Sequence, residues 1–216
     1  MKENNNSKQV LLSVLGVAIL VVAVVGVSFA AFTYTGTGQV ENIITTGSIT
    51  MNYEEPENGI KLTEALPMTD AQGKALTGEN NTFDFTVTAS VTGSATIDYA
   101  IIAIPDEGNS GTALTDATVK VYLTDSTTDS NDNSSTGVGN TTTPVPLSTL
   151  ASSDTASSAG VPSSLGGYVL ATGTYSGASN TDSYRLRMWM ADTATAPSTS
   201  ETYKLRVNVY GQANAQ

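Results

Sequence analysis

Cysteine and histidine are both absent from this chain of 216 residues. Their absence removes disulfides, thiolate nucleophiles, imidazole bases and the usual zinc ligands together, so much enzyme chemistry has no residues to run on. Positive charge is scarce as well, with 9 Lys and Arg against 20 Asp and Glu and a net charge of −11. Nucleic acid is therefore not an expected partner. The acidic balance favours solubility outside the cell and suits divalent cations or a basic surface. Also missing after residue 31 is any helical hydrophobic period of useful length, which turns the fold-class reading towards strands.

What is present starts with a long uncharged run, since no charge occurs between Lys8 and Glu41. Lys2 and Lys8 precede an apolar stretch and Ser28-Phe29-Ala30 follows it, which is the charged, apolar and small-residue order of a secretory signal. The expected organisation is a hydrophobic signal helix over 1–30, cleaved between Ala30 and Ala31, an arm over 31–40, and a domain over 41–212. Cleavage leaves 186 residues, with seven basic and nineteen acidic side chains and a net charge of −12, a size that suits one domain with a sizeable core. The protein is then expected to be secreted and to reach the extracellular space or cell surface, touching a membrane only through the signal. Residues 10–31 are also long enough to span a bilayer, so a monomeric surface module on a retained anchor is the competing expectation. A pilin-like filament that keeps its apolar helix as a core comes third, because residues 33–38 would break that helix.

The arm has one-sided bulk. Phe32, Tyr34, Gly36, Gly38 and Val40 alternate with Thr33, Thr35, Thr37 and Gln39, a period of two. A chain terminus frays unless something ties it down, and an edge strand offers unpaired N–H and C=O groups to any neighbour. The arm therefore either pairs with its own domain or completes the sheet of another subunit by strand addition; donation to another subunit is the leading expectation.

Further along, residues 43–53 read as one strand with a bulge or bend near Thr46-Gly47, 60–62 as a short strand and 65–78 as a loop. Residues 82–92 alternate cleanly, with Phe83, Phe85, Val87, Ala89 and Val91 on one face. Residues 96–104 are apolar on both parities, as a central strand is, and 117–124 give another strand. Residues 126–167 are dominated by Ser, Thr, Asn, Asp and Gly and read as a long surface loop too polar to bury a face of its own. A loop of this length suggests a functional or mobile segment, or a site of insertion. Strands at 168–175, 184–191 and 203–210 close the domain. About eight short strands with turn-rich connections argue for an all-β fold, an antiparallel β-sandwich.

In the last two strands Arg185, Arg187, Lys204 and Arg206 alternate with apolar residues. If the strands pair as a hairpin, these four make one basic stripe on an acidic body. Such charges deter edge pairing; the sharper reading is a seam that docks the acidic side of another subunit.

Asp125, Asp129 and Asp132, with Asn131 and Asn133, crowd oxygen ligands that calcium could use. Ser134 stands where the calcium-loop turn needs glycine and Asn140 where it needs the bidentate Glu, so a solvated loop is favoured and no cofactor is expected. Glu54, Glu55 and Glu57 read as a solvated acidic turn, since nothing there separates their pKa values for paired-carboxylate chemistry. Leu66-Pro67-Met68-Thr69-Asp70 resembles a sorting motif but ends in Asp and has no apolar tail. Lys120 is the one candidate for an isopeptide crosslink. Asn80, Asn133 and Asn140 head formal glycosylation triplets. No nucleophile stands with a base, and the chain is read as a non-enzyme.

Ser28-Phe29-Ala30-Ala31-Phe32, Thr46-Gly47-Ser48-Ile49-Thr50-Met51 and Phe83-Asp84-Phe85-Thr86-Val87 resemble, in kind and order, the TasA and camelysin group of secreted bacterial surface proteins. The endings Tyr184-Arg185-Leu186-Arg187-Met188-Trp189 and Lys204-Leu205-Arg206-Val207-Asn208-Val209 are similar to those of related exported proteins. The resemblance implies a jelly-roll-like sandwich that assembles into biofilm-matrix fibres, each subunit lending its N-terminal arm to the next. Its partners would be copies of itself, with matrix or cell-wall components beside them. The metalloprotease activity ascribed to camelysin-like proteins is not implied here, because a chain without histidine cannot build an ordinary zinc site.

Overall fold

The computed structural model describes residues 33–37, 44–46, 49–54, 60–63, 65–78, 81–92, 95–109 and 111–214. The signal segment, Ala30, Ala31, Phe32, Gly38 and Val40 lie outside them. Eleven strands carry the described chain: β1 (Thr33–Thr37), β2 (Ile44–Thr46), β3 (Ile49–Glu54), β4 (Lys61–Thr63), β5 (Thr82–Val91), β6 (Thr96–Pro105), β7 (Val119–Asp125), β8 (Val145–Pro146), β9 (Tyr168–Tyr175), β10 (Asn180–Met190) and β11 (Thr202–Asn214). They form two antiparallel sheets, so the fold is all-β. One sheet runs β1-β11-β6-β9, with β4 also on β11, and the other runs β2-β3-β5-β10-β7-β8.

Alternation on β5 is realised as the sequence predicts. Phe83, Phe85, Val87, Ala89 and Val91 are buried while Asp84 is exposed. They join residues of the opposite sheet, such as Ile97, Ile101 and Val209, in one core cluster. Each such aliphatic or aromatic side chain contributes about 1.5–3 kcal/mol on burial. Phe85 stacks on Tyr184 with centroids 5.2 Å apart and meets Tyr53 edge-on at 5.6 Å.

β6 lies between β11 and β9 and is buried on both faces, as its double apolar parity requires. The cover of its outer face overturns one expectation. Segment 126–167 is not a bare surface loop: it holds 3-10 turns η1 (Gly139–Thr141), η2 (Leu147–Thr149) and η3 (Ser153–Ala159), together with β8. Ala156, Ala159 and Val161 pack on Ala100, Ile102 and Ile104, and Leu147 is fully buried in the main core. Few apolar residues suffice because serine and threonine side chains serve the backbone locally. Thr141 Oγ1, for example, accepts from Leu123 N (2.9 Å) and donates to Val138 O (3.0 Å).

Two further corrections concern short elements. Residues 43–53 are not one bulged strand, since β2 and β3 pair antiparallel with each other, Thr46 opposite Ile49. Residues 65–78, read as a loop, contain the helix α1 (Asp70–Lys74). Its signal was legible in Thr69 and Gln72, which form a capping box, the Thr-x-x-Gln pattern of a helix start.

Candidate functional site

The arm and the edge it occupies come first. β1 pairs antiparallel with β11 of its own chain, from Thr33 opposite Gln212 to Thr37 opposite Asn208. Of the two destinations open to the arm, the single chain adopts its own sheet, and the leading expectation of donation is not what this chain by itself displays. β4 lies on the same edge of β11 further towards its start, with Thr63 opposite Thr202 and Lys61 opposite Lys204. One thirteen-residue strand thus carries two short edge strands in tandem, while β6 takes its other side from Leu205 to Asn214. In register, positions 34 and 36 fall opposite Gly211 and Val209. Gly211 is needed as glycine: a Cβ there would stand 2.3 Å from Met51 Sδ, so the sheets meet closely where the arm lies.

The basic stripe is not formed. β10 lies between β5 and β7 in one sheet and β11 lies in the other, so Arg185 and Arg187 are not paired with Lys204 and Arg206. Nor do all four face water. Arg187 is fully buried, and its guanidinium donates to Asp129 Oδ2 (2.6 Å), Asn131 Oδ1 (2.8 Å) and Leu76 O (2.8 Å). Arg185 is clamped to Asp84 by two bonds of 2.7 and 2.6 Å. What covers them is remote in sequence, namely α1 with its following turn and the turn after β7, which is why alternation alone pointed these arginines outward. Trp189, also fully buried, sits beneath Gly73 of α1, where a Cβ would stand 2.1 Å from the indole. Lys204 and Arg206, by contrast, are exposed on β11.

The candidate calcium ligands are engaged elsewhere. Asp129 has a fully buried side chain and accepts from Arg187, Thr124, Ser135 and Asn131 N. Burial raises its pKa, yet the bonds from Arg187, Asn131 N, Ser135 and Thr124 outweigh that and hold the carboxyl far below the usual range. Asp132 is held at about 2 by the Ser130 and Ser134 hydroxyls, and Asp125 accepts from Thr127 N at 2.8 Å. These carboxylates close local turns, and among the described residues no group of three or more acidic, histidine or cysteine side chains could hold a metal.

The other candidates are also spent on structure. Lys120 Nζ lies 2.6 Å from Asp70 Oδ1, tying β7 to α1. Thr69 of the sorting-like motif caps α1, and Asn140 Nδ2 donates to Val169 O. Glu54 is the exposed last residue of β3, whereas Glu55, Glu57 and Asn80 lie outside the described residues. Asp116, not singled out from the sequence, takes the hydroxyls of Tyr168 (2.8 Å) and Tyr203 (2.5 Å). Burial and this carboxylate push Tyr168 up to about 12 and Tyr203 higher still.

An open cleft of about 600 Å³ is lined by Asn109, Thr112, Ser200, Glu201 and Lys204. Its one carboxylate, Glu201, accepts the backbone N–H groups of Leu114, Thr112 and Ala113, which lower its pKa. A carboxylate so engaged supplies no general base. Among the described residues no helix is long and apolar enough to cross a membrane. No protein-family model matches the chain, and no match was found among curated proteins or solved structures.

Proposed function

We propose that the chain is a structural subunit of an extracellular fibre or biofilm matrix, exported by its signal and polymerising by exchange of its N-terminal strand. In this reading the two sheets are the halves of a jelly-roll-like β-sandwich, its first strand beside its last, of the kind the resemblance to TasA and camelysin implies. No enzymatic step is part of it.

The observation that carries the reading is the place of β1. It is the first described strand, five residues long at the edge of a sheet, and among the described strands it pairs only with β11. The same segment of a second copy fits that place with the same main-chain bonds, so exchange is a low-cost route from a closed monomer to an open chain of subunits. A heterologous head-to-tail contact of this type builds an open filament when its rotation does not close into a ring. Electron microscopy of secreted material, repeated on a chain lacking residues 31–40, tests the proposal. Filaments from the full chain and none from the deletion are expected; normal filaments without the arm end it.

The same geometry favours a second reading, because a chain whose arm closes its own sheet is complete as a monomer. On that account residues 10–31 stay as an anchor and the domain acts singly at the cell surface. Mass spectrometry of the released protein separates the two: a first residue at Ala31 supports secretion, and an intact leader supports the anchor.

A further inference from the structure

We propose that Lys204 and Arg206, both exposed on the first half of β11, form a docking patch for the acidic surface of a second copy of this chain. The inference rests on the fibre-subunit reading and names one of its contacts. Lys204 and Arg206 lie two residues apart on one strand, hence on one face, and both are exposed. The next positions of that face, Asn208 and Tyr210, are buried, Tyr210 beneath η3. The patch begins where the cover stops.

Its charge is what makes it unusual. Seven cations follow residue 30. Lys120, Arg185 and Arg187 have carboxylate partners, and Lys74 lies over the Tyr122 ring at 5.3 Å. Lys204 and Arg206 have no ion pair among the described residues. On the β6 side Asp106 N donates to Lys204 O (3.1 Å), and the Asp106 carboxylate accepts from Gly108 N (2.8 Å). A chain with 20 acidic side chains keeps two neighbouring cations on one face of β11 with no ion pair among the described residues. The surface that complements them is the acidic body of another copy, and such complementarity acts mainly on encounter rate and register. The position also fits, because the patch shares β11 with the stretch Asn208–Gln212 that β1 occupies, so an incoming subunit is steered to the place where strand exchange occurs.

The test follows assembly of the full chain by light scattering and electron microscopy at about 0.02 M and about 0.5 M salt, spanning weak to strong screening. The variant is K204E/R206E, with K204Q/R206Q as an intermediate and circular dichroism as the folding control. Wild-type assembly is expected to slow roughly tenfold at high salt, and the reversed variant to be about as slow at low salt with little salt dependence left. A reversed variant that assembles at the wild-type rate with the wild-type salt slope overturns the patch. If the wild type forms no filaments, the fibre reading fails on its own. The patch is then read by sedimentation: salt-sensitive self-association lost on reversal supports it, and a salt-insensitive monomer overturns it. Unchanged self-association together with lost retention on immobilised polyphosphate also overturns it, in favour of an anionic polymer.

Discussion

β10 and β11 read almost alike. Tyr184-Arg185-Leu186-Arg187-Met188-Trp189 and Tyr203-Lys204-Leu205-Arg206-Val207-Asn208 share a tyrosine, two alternating cations and apolar residues between them. Their outer faces nevertheless have opposite fates. Arg187 and Trp189 are fully buried under α1 and the turn after β7, whereas Lys204 and Arg206 meet solvent. Alternation decides which side chains share a face; what covers that face is decided by segments far away in the chain. Of the same residue type, Arg187 fastens two surface turns to the sheet, whereas Arg206 is exposed and has no ion pair among the described residues.

The largest effect should come from breaking the buried half of this comparison. Arg187→Ala leaves the Asp129 carboxylate buried without its partner and is expected to cost about 3–5 kcal/mol, read as a drop in Tm or in the urea midpoint. Arg206→Ala should stay within about 0.5 kcal/mol. Replacing both members of the buried pair, as in Arg187→Met with Asp129→Leu, should recover most of the loss, since a well-packed apolar pair can substitute for a buried ion pair. Equal losses from Arg187→Ala and Arg206→Ala would erase the distinction between the two strands.

Next in size is the lid itself. Gly73→Ala puts a methyl group where the Trp189 ring lies, so α1 or the indole must move, at about 1–3 kcal/mol for an overpacked core position. Trp189 is the only tryptophan, so its emission reports the change directly. A red shift on Gly73→Ala is expected, and unchanged emission would mean that α1 does not hold the ring.

Much of the strand frame was legible and the covers were not. β5, β6, β7 and β9 follow from alternation or continuous apolarity because their own side chains fill the main core cluster. β10 and β11 were found as strands, but their assignment to different sheets was not, since neither sequence says that β5 and β7 flank one while β6 flanks the other. The covers escaped because they rest on few residues. Ala156, Ala159 and Val161 are scattered through a polar tract, and α1 is five residues long with only its capping box as a signal. Asp129 was noticed for its oxygens, yet its partner Arg187 lies 58 positions away and no spacing rule joins them. The arm was recognised as a strand; its partner could not be read from its own alternation.

The two strands should also part company in acid and behave alike in alkali. Burial raises the Asp129 pKa, but its hydrogen bonds from Arg187, Asn131 N, Ser135 and Thr124 lower it by more. Its contribution is therefore present above the ordinary carboxylate range and is lost as pH falls below about 4. Trp189 emission should respond in that window, while Lys204 and Arg206 of β11, with no ion pair among the described residues, have no such contribution to lose. At the other end both strands carry a buried tyrosine, Tyr184 raised by burial and Tyr99, and Tyr203 raised by burial and Asp116. Folding favours their neutral forms, so stability is intact below about pH 10 and is lost as pH rises further. Tyr168, at about 12, shares Asp116 and contributes about 1 kcal/mol to that loss after allowance for solvent screening. Tyr203→Phe should shift the alkaline limb and leave the acid limb in place.

The smallest effect is expected at Lys204 itself. Asp106 N donates to Lys204 O across the β11–β6 pair (3.1 Å), so Lys204→Glu sets two carboxylates on neighbouring strands, and cross-strand pairs of this kind are worth about 0.2–1 kcal/mol. Exposure and screening place the loss at the lower end of that range, and it should shrink as salt is added. The variant monomer is therefore expected to be slightly less stable than the wild type at low salt, whereas Lys204→Gln should stay closer to neutral. Slower assembly of Lys204→Gln at unchanged monomer stability would separate a surface used by a second molecule from one that serves the fold, and wild-type assembly by that variant would remove Lys204 from the patch.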